Sequence, residues 1–312
     1  MEPADTIYTN GKWFPANGSK RRKPMAVIGF IGLGNMGMPM ARNLVQSGYL
    51  VYGFNRSKKK EEAFEELGGR KAESLSLIAE KADVIMTCLP EPKDVQDVLS
   101  ELFEMGISGS HIIDFSTVSP ALHKEMKEKA AREGVEYLDA PVSGGTAGAE
   151  AGTLAIMCGG EESAFEKARP LFDVLGATIT HTGPAGSGTK VKLINQYMVG
   201  MHTAAVAEAL HLADESGIDQ KMLYDVLSQS FAQSKIFDRH YPDFIAAKRE
   251  EPGFALSLLL KDLNLAGEMA GNAEVPLEAG RKVKEMFEDA DQQGYGGKDM
   301  SAFYQYTSGK HS

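Results

Sequence analysis

Short apolar runs alternate with amphipathic stretches through the first part of the chain. Residues 27–31, 49–54, 83–89, 112–115, 135–139, 153–158 and 177–181 are each brief and rich in β-branched or aromatic side chains. Gly, Pro, Asn or Ser bounds most of them. Apolar runs of this length read as strands buried on both faces of a parallel sheet. The stretch after Gly37 and residues 58–67, 120–133 and 161–175 carry apolar side chains at helical spacing instead, as Ala41, Leu44 and Val45 do. Strand and helix in alternation predict an α/β fold of the doubly wound, Rossmann type.

The pattern changes at Gly183-Pro184-Ala185-Gly186-Ser187-Gly188. Beyond it only the helical period remains, over residues 190–216, 221–228, 254–270 and 275–292. The first of these helices has ~27 residues and a length of ~40 Å, enough to leave the sheet and anchor a second unit. Its small residues (Gly200, Ala204, Ala205, Ala207, Ala209 and Ala213) suit close helix packing, a subunit interface included. The expected organisation is a flexible leader over 1–24, a Rossmann-type dinucleotide domain over 25–187, and an all-helical substrate and oligomerisation domain over 188–312. The leader carries Asn17-Gly18-Ser19 and the basic run Lys20-Arg21-Arg22-Lys23 but no apolar core, so it does not read as a secretory signal.

Composition narrows the function classes. The 312 residues are 43% hydrophobic and 24% charged, as in ordinary globular proteins. A net charge of −10 disfavours a nucleic-acid surface, and no apolar segment reaches membrane-spanning length. The two cysteines, Cys88 and Cys158, sit in apolar runs and read as core residues. The histidines show no ligand spacing, so no metal site is expected. A cytoplasmic enzyme is the default expectation.

Candidate chemistry begins where the first apolar run ends. Gly32, Gly34 and Gly37 stand in G-x-G-x-x-G spacing, with Leu33, Asn35 and Met36 between them, on a strand–turn–helix pattern. Such a turn permits a sharp bend, close approach of a pyrophosphate and a helix N-terminus facing it. At the end of the second strand, where a carboxylate would hold the ribose 2′-hydroxyl of NAD, Asn55 is neutral and Arg56 follows, with Ser57 and three lysines behind. That favours the 2′-phosphate of NADP, which an arginine can grip in a fork. Leu89-Pro90 and Ser116-Thr117 end the next strands and face the same crevice, where ligands bind in open α/β sheets. A carbonyl reduced by hydride builds charge on its oxygen, and a positioned lysine can supply the proton. Lys190, Lys192 and Lys261 are candidates, and Lys192 is preferred because it shares a helical face with Asn195 and Gln196.

Five segments in order resemble the β-hydroxyacid dehydrogenase family, which includes 3-hydroxyisobutyrate dehydrogenases and glyoxylate/succinic semialdehyde and tartronate semialdehyde reductases. They are Phe30 through Gly37, Asp114-Phe115-Ser116-Thr117, Asp139 through Gly145, Gly186-Ser187-Gly188 with Lys192 and Asn195, and Leu260-Lys261-Asp262-Leu263. The resemblance implies Lys192 as catalytic acid or base, with Asn195 or Gln196 positioning the substrate oxygen. It implies Ser143, Gly144 and Gly145 as the carboxylate-binding segment, Thr117 and Lys261 against the nicotinamide half, and a homodimer or homotetramer. Asp262 either orients Lys261 or makes an ordinary surface pair with it. The leading expectation is an NADP(H)-preferring oxidoreductase acting on a small carboxylate-bearing aldehyde or hydroxy acid. An imine reductase and a catalytically silent dinucleotide-binding scaffold are the alternatives, and retention of Lys192 counts against both.

Overall fold

The structure is a computed structural model and describes residues 6–9, 12–15, 26–107, 109–249 and 251–309. The basic run Lys20-Arg21-Arg22-Lys23 lies outside the described residues. Within the expected leader, β1 (Thr6–Thr9) and β2 (Lys12–Pro15) pair antiparallel as a separate two-stranded sheet, a departure from an extension without structure. The cause is legible in the residues. Thr-Ile-Tyr-Thr and Lys-Trp-Phe-Pro are both rich in β-prone residues.

The main sheet is built from β3 (Val27–Ile31), β4 (Leu50–Phe54), β5 (Arg70–Lys71), β6 (Val84–Thr87), β7 (His111–Asp114), β8 (Glu136–Asp139), β9 (Val142–Ser143), β10 (Leu154–Gly159) and β11 (Gly176–Gly183). Its spatial order is β11-β10-β8-β7-β6-β3-β4-β5, with β9 beside β10. From β5 to β8 every neighbouring pair is parallel. At β10 the direction reverses against β8, because β9 and the short helix after it turn the chain back in place of a crossover.

Interleaved with the strands are α1 (Gly37–Gln46), α2 (Lys58–Glu66), α3 (Leu75–Lys81), α4 (Pro92–Glu104), α5 (Pro120–Arg132), α6 (Gly145–Ala151) and α7 (Glu162–Leu175). Successive strand residues point to opposite faces, so Ile28 and Phe30 of β3 enter one core with α1 and α7, while Ile31 enters the other with α3, α4 and α5. Helices α3 and α4 escape the sequence reading. Pro92 marks both the end of a strand region and the first turn of α4, where its missing N–H costs nothing.

After Gly183 the chain is helical: α8 (Ser187–Glu215), α9 (Gln220–Leu227), α10 (Lys235–His240), α11 (Leu256–Asn272), α12 (Glu278–Ala290) and α13 (Phe303–Thr307). A π-helical turn, Tyr241–Ala246, continues α10 and redirects the chain toward α11. Helix α8 is the axis of this half. Its Ala204 and Ala207 pack on Leu256, Leu259, Leu260 and Leu263 of α11, with Phe287 and Phe303 stacked 4.3 Å apart in the same core. Ala204 and Ala207 therefore serve packing within the chain. No helix among the described residues is long and apolar enough to cross a membrane.

Candidate active site

The carboxyl ends of β3, β6 and β7 and the first turn of α1 face α8, α10 and α11 across a cleft of about 680 Å³. Asp114, fully buried at the end of β7, organises the sheet side. One carboxylate oxygen accepts from Thr87 Oγ1 at 2.8 Å and from the Ser116 N–H at 2.9 Å, the other from the Tyr137 hydroxyl. Ser116 Oγ in turn accepts the Leu89 N–H at 2.9 Å. The ends of β6 and β7 are thereby tied together, and Leu89, Pro90, Ser116 and Thr117 line the cleft.

The glycine turn fits a dinucleotide pyrophosphate. A Cβ at Gly37 would collide with the Gly32 carbonyl oxygen, so α1 packs on the turn only with glycine there. At Gly34, by contrast, no atom lies near the Cβ position, and Gly34, Asn35, Met36 and Gly37 line the cleft. Helix α1 carries neither a side-chain cap nor an acidic residue in its first turn, which leaves its N-terminal N–H groups and dipole for an anion.

Five expected cofactor contacts stand outside the cleft lining. Gly32 donates its N–H to the Phe54 carbonyl, and Leu33 is fully buried in the core. Asn55 turns inward, accepting the Leu33 N–H on Oδ1 at 3.0 Å and donating its own backbone N–H to the buried Glu61 carboxylate. Ser57 is the N-cap residue of α2 but makes no side-chain cap bond. Arg56 is 80% exposed and paired with Asp94 at 3.2 Å.

Lys192 lines the opposite wall, only 7% exposed. Its position follows from Asp139, the last residue of β8, whose carboxylate accepts the N–H groups of Gly186 at 2.6 Å and Thr189 at 2.9 Å. A side chain at Gly188 would strike the Met157 carbonyl, so α8 starts pressed against the sheet. Asp139 thus caps α8 less than two turns before Lys192. Burial lowers the Lys192 ammonium to about 8; Asp262 pulls it up and Lys261 pushes it further down.

Gln196, one turn beyond Lys192, also lines the cleft and is buried. Its Nε2 donates to Asp262 Oδ2 at 2.7 Å, leaving Oδ1 without a hydrogen bond. Asn195 does not reach the lining: its Nδ2 donates to Gln196 Oε1 at 3.0 Å, so its contribution passes through that amide. Asp262 is no surface residue but a buried one, 3.3 Å from Lys261 Nζ. Lys261 Nζ donates to the Thr117 carbonyl at 2.7 Å, which bridges α11 to the end of β7 across the cleft. Ser143, Gly144 and Gly145, between β9 and α6, complete the lining beside them. Sequence reading missed Asp139 as a cap and the bond from Asp262 to Gln196. Both residues lie inside motifs already singled out, and an acid beside a candidate lysine was the available signal.

Cys88 also lines the cleft, its thiol pushed up to about 12 by burial and by Asp114, so it is inert as a nucleophile.

Comparison with known proteins agrees with this arrangement. Residues 27–183 match the family model for the NAD binding domain of 6-phosphogluconate dehydrogenase. Residues 186–307 match the model described as NAD-binding of NADP-dependent 3-hydroxyisobutyrate dehydrogenase. The chain is 38% identical over 278 residues to 2-(hydroxymethyl)glutarate dehydrogenase of Eubacterium barkeri, covering 88% of this chain and 92% of that protein. It is 36% identical over 281 residues to 2-hydroxy-3-oxopropionate reductase of Escherichia coli, covering 89% and 96%. The structure of a 3-hydroxyisobutyrate dehydrogenase from Mycobacterium tuberculosis superposes with a TM-score of 0.84 at 31% identity, covering 91% of this chain and 99% of that one. With both halves of the chain matched in order, and a buried lysine facing a dinucleotide turn across one cleft, this protein belongs to the β-hydroxyacid dehydrogenase family of nicotinamide-dependent oxidoreductases.

Proposed function

We propose that the chain interconverts a small carboxylate-bearing aldehyde or 2-oxo acid and the corresponding hydroxy acid with NADP(H), Lys192 supplying or removing the proton. The observation that carries this is Lys192 itself, a buried lysine lowered to about 8 in the wall opposite the glycine turn. Reduced nicotinamide, when bound, supplies the hydride. Lys192 Nζ donates a proton to the carbonyl oxygen as charge builds there, a task best done by a group whose pKa lies near the working pH. Gln196, anchored by Asp262, presents its amide to the same oxygen. Ser143 and the N–H groups of Gly144 and Gly145 hold the substrate carboxylate and so fix the carbonyl against Lys192. The Lys261 bridge to Thr117 keeps the two walls in register.

The direct test is loss of nicotinamide absorbance when purified protein is mixed with NADPH or NADH and a panel containing glyoxylate, succinic semialdehyde, tartronate semialdehyde and methylmalonate semialdehyde. Turnover of at least one of them, faster with NADPH, is the expected result. Reduction of cyclic imines without reduction of any aldehyde would replace this reading with the imine reductase one.

We further propose a homo-oligomer. Val191, Ile194, Met198 and Leu212 recur at helical spacing along α8 and are 41–70% exposed, an apolar stripe on the side turned away from α11. Closed symmetric assembly is the common way to cover such a stripe. Light scattering should return at least twice the 33.7 kDa chain mass, and Ile194→Glu with Met198→Glu should shift it toward the monomer.

A further inference from the structure

The cleft extends past the catalytic residues to a wall made by α10, the π-helical turn after it and the segment leading to α11. Its charges are not equivalent. Arg239 is neutralised: its guanidinium forks onto Asp299 at 2.9 and 2.6 Å, and Asp299 also accepts the N–H groups of Gly253 and Phe254. Lys235 and Arg249 line the same wall, and among the described residues neither side chain makes an ion pair or a hydrogen bond. Arg249 is nonetheless held in place. Its guanidinium lies 5.1 Å from the Phe244 ring centroid, the Arg239 guanidinium lies 4.1 Å from the same centroid, and the Arg249 backbone N–H donates to the Phe244 carbonyl. Among the described residues, Asp243 is the one exposed carboxylate in this wall. In a chain of net charge −10, two uncompensated cations against one acid among the described residues make this wall of the cleft locally positive. The same lining also carries the apolar side chains of Val199, Ile236 and Phe254.

We infer that Arg249 and Lys235 form a second anion subsite, which takes the distal carboxylate of a dicarboxylic 3-hydroxy acid or its semialdehyde. The inference rests on the reading of Lys192 and the Ser143–Gly145 segment as the reacting end. The first carboxylate sits there, a short methylene spacer lies along Val199, Ile236 and Phe254, and the second carboxylate meets the guanidinium and ammonium. The 2′-phosphate of the cofactor is a poor occupant, because the glycine turn and Arg56 belong to the sheet side whereas both cations belong to the helical side. Arg249 offers planar donors already oriented by Phe244, which suits a carboxylate fork.

The test compares oxidation of 2-(hydroxymethyl)glutarate and 3-hydroxyisobutyrate, one dicarboxylic and one monocarboxylic, with NADP+ and with NAD+. In the unaltered protein, kcat/KM for the dicarboxylate is expected to exceed that for the monocarboxylate roughly ten- to a hundredfold, as one charge-assisted contact allows. Arg249→Gln and Lys235→Gln should each lower that ratio, and the double variant should bring it close to one. The loss should fall on KM for the dicarboxylate, with kcat little changed, because this contact is made equally in ground and transition states. Both residues are exposed, so neither variant endangers folding. A ratio of one or less in the unaltered protein, or one that survives in the double variant, overturns the subsite while leaving the Lys192 reading in place. Oxidation of neither acid with either cofactor overturns the subsite, and the Lys192 reading falls with it only if no aldehyde of the panel is reduced either.

Discussion

Lys192→Arg is expected to lose on the order of 10²–10⁴ in kcat in both directions while NADPH affinity stays near normal. Arginine preserves the charge but releases no proton near neutral pH. The cofactor turn at Gly34 to Gly37 lies across the cleft and is untouched by the change. Lys192→Ala should match it in kcat, which separates loss of the proton from crowding by the larger guanidinium. The pH dependence has a definite sign. With the ammonium titrating at about 8, reduction needs the protonated form, so its kcat is level below pH ~8 and falls above it. Oxidation needs the neutral amine, so its kcat rises toward a plateau above pH ~8. Asp262→Asn removes the carboxylate that holds this value up, and both limbs should move to lower pH. Profiles of kcat for the two directions check all of this. An arginine variant that kept most of its kcat would make Lys192 an electrostatic anchor and pass the proton to bound water or Lys261.

Arg56→Ala should weaken NADPH roughly ten- to a hundredfold in kcat/KM and leave NADH nearly unchanged, since a charge-assisted hydrogen bond contributes about 1.5–3 kcal/mol. The structure sharpens the expectation. Asn55 is committed to the Leu33 N–H, and the Glu61 carboxylate is turned inward onto the Asn55 backbone, so Arg56 is the charged side chain free to swing at this strand end. Its present partner Asp94 is a weak competitor: the pair is exposed on the arginine side, where such contacts contribute ~0–1 kcal/mol. A bound 2′-phosphate of near double charge is expected to displace it. Asp94→Asn should accordingly tighten NADPH slightly. Measuring kcat/KM for both cofactors in the two variants is sufficient, and an unchanged NADPH/NADH ratio in Arg56→Ala removes Arg56 from the assignment.

Much of the site was legible because its parts are local. The glycine turn needs only a strand, three glycines and a helix within some twenty residues, and the sheet crevice follows from where each apolar run stops. Which of Asn195 and Gln196 lines the cleft was not legible. Both follow Lys192 on α8, and what separates them is Asp262, which reaches Gln196 from a helix 66 positions away. Asp262 itself reads equally well as a surface ion-pair partner until α11 packs on α8 and buries it. The pairing of β1 and β2 is the opposite case, for two β-prone runs close together in the chain already carry its signal.

By itself the sequence determined the α/β sheet followed by helices, the dinucleotide turn and the lysine that faces it, since periodicity and backbone sterics act over neighbouring residues. Only the tertiary structure decided how acidic that lysine is, because desolvation and the opposing fields of Asp262 and Lys261 exist only once α8 and α11 meet. It alone decided that Ala204 and Ala207 of α8 serve the chain's own core, and that Arg249 and Lys235 share a wall with neither one neutralised among the described residues. Burial and charge compensation are properties of assembled neighbours, and no local pattern records them.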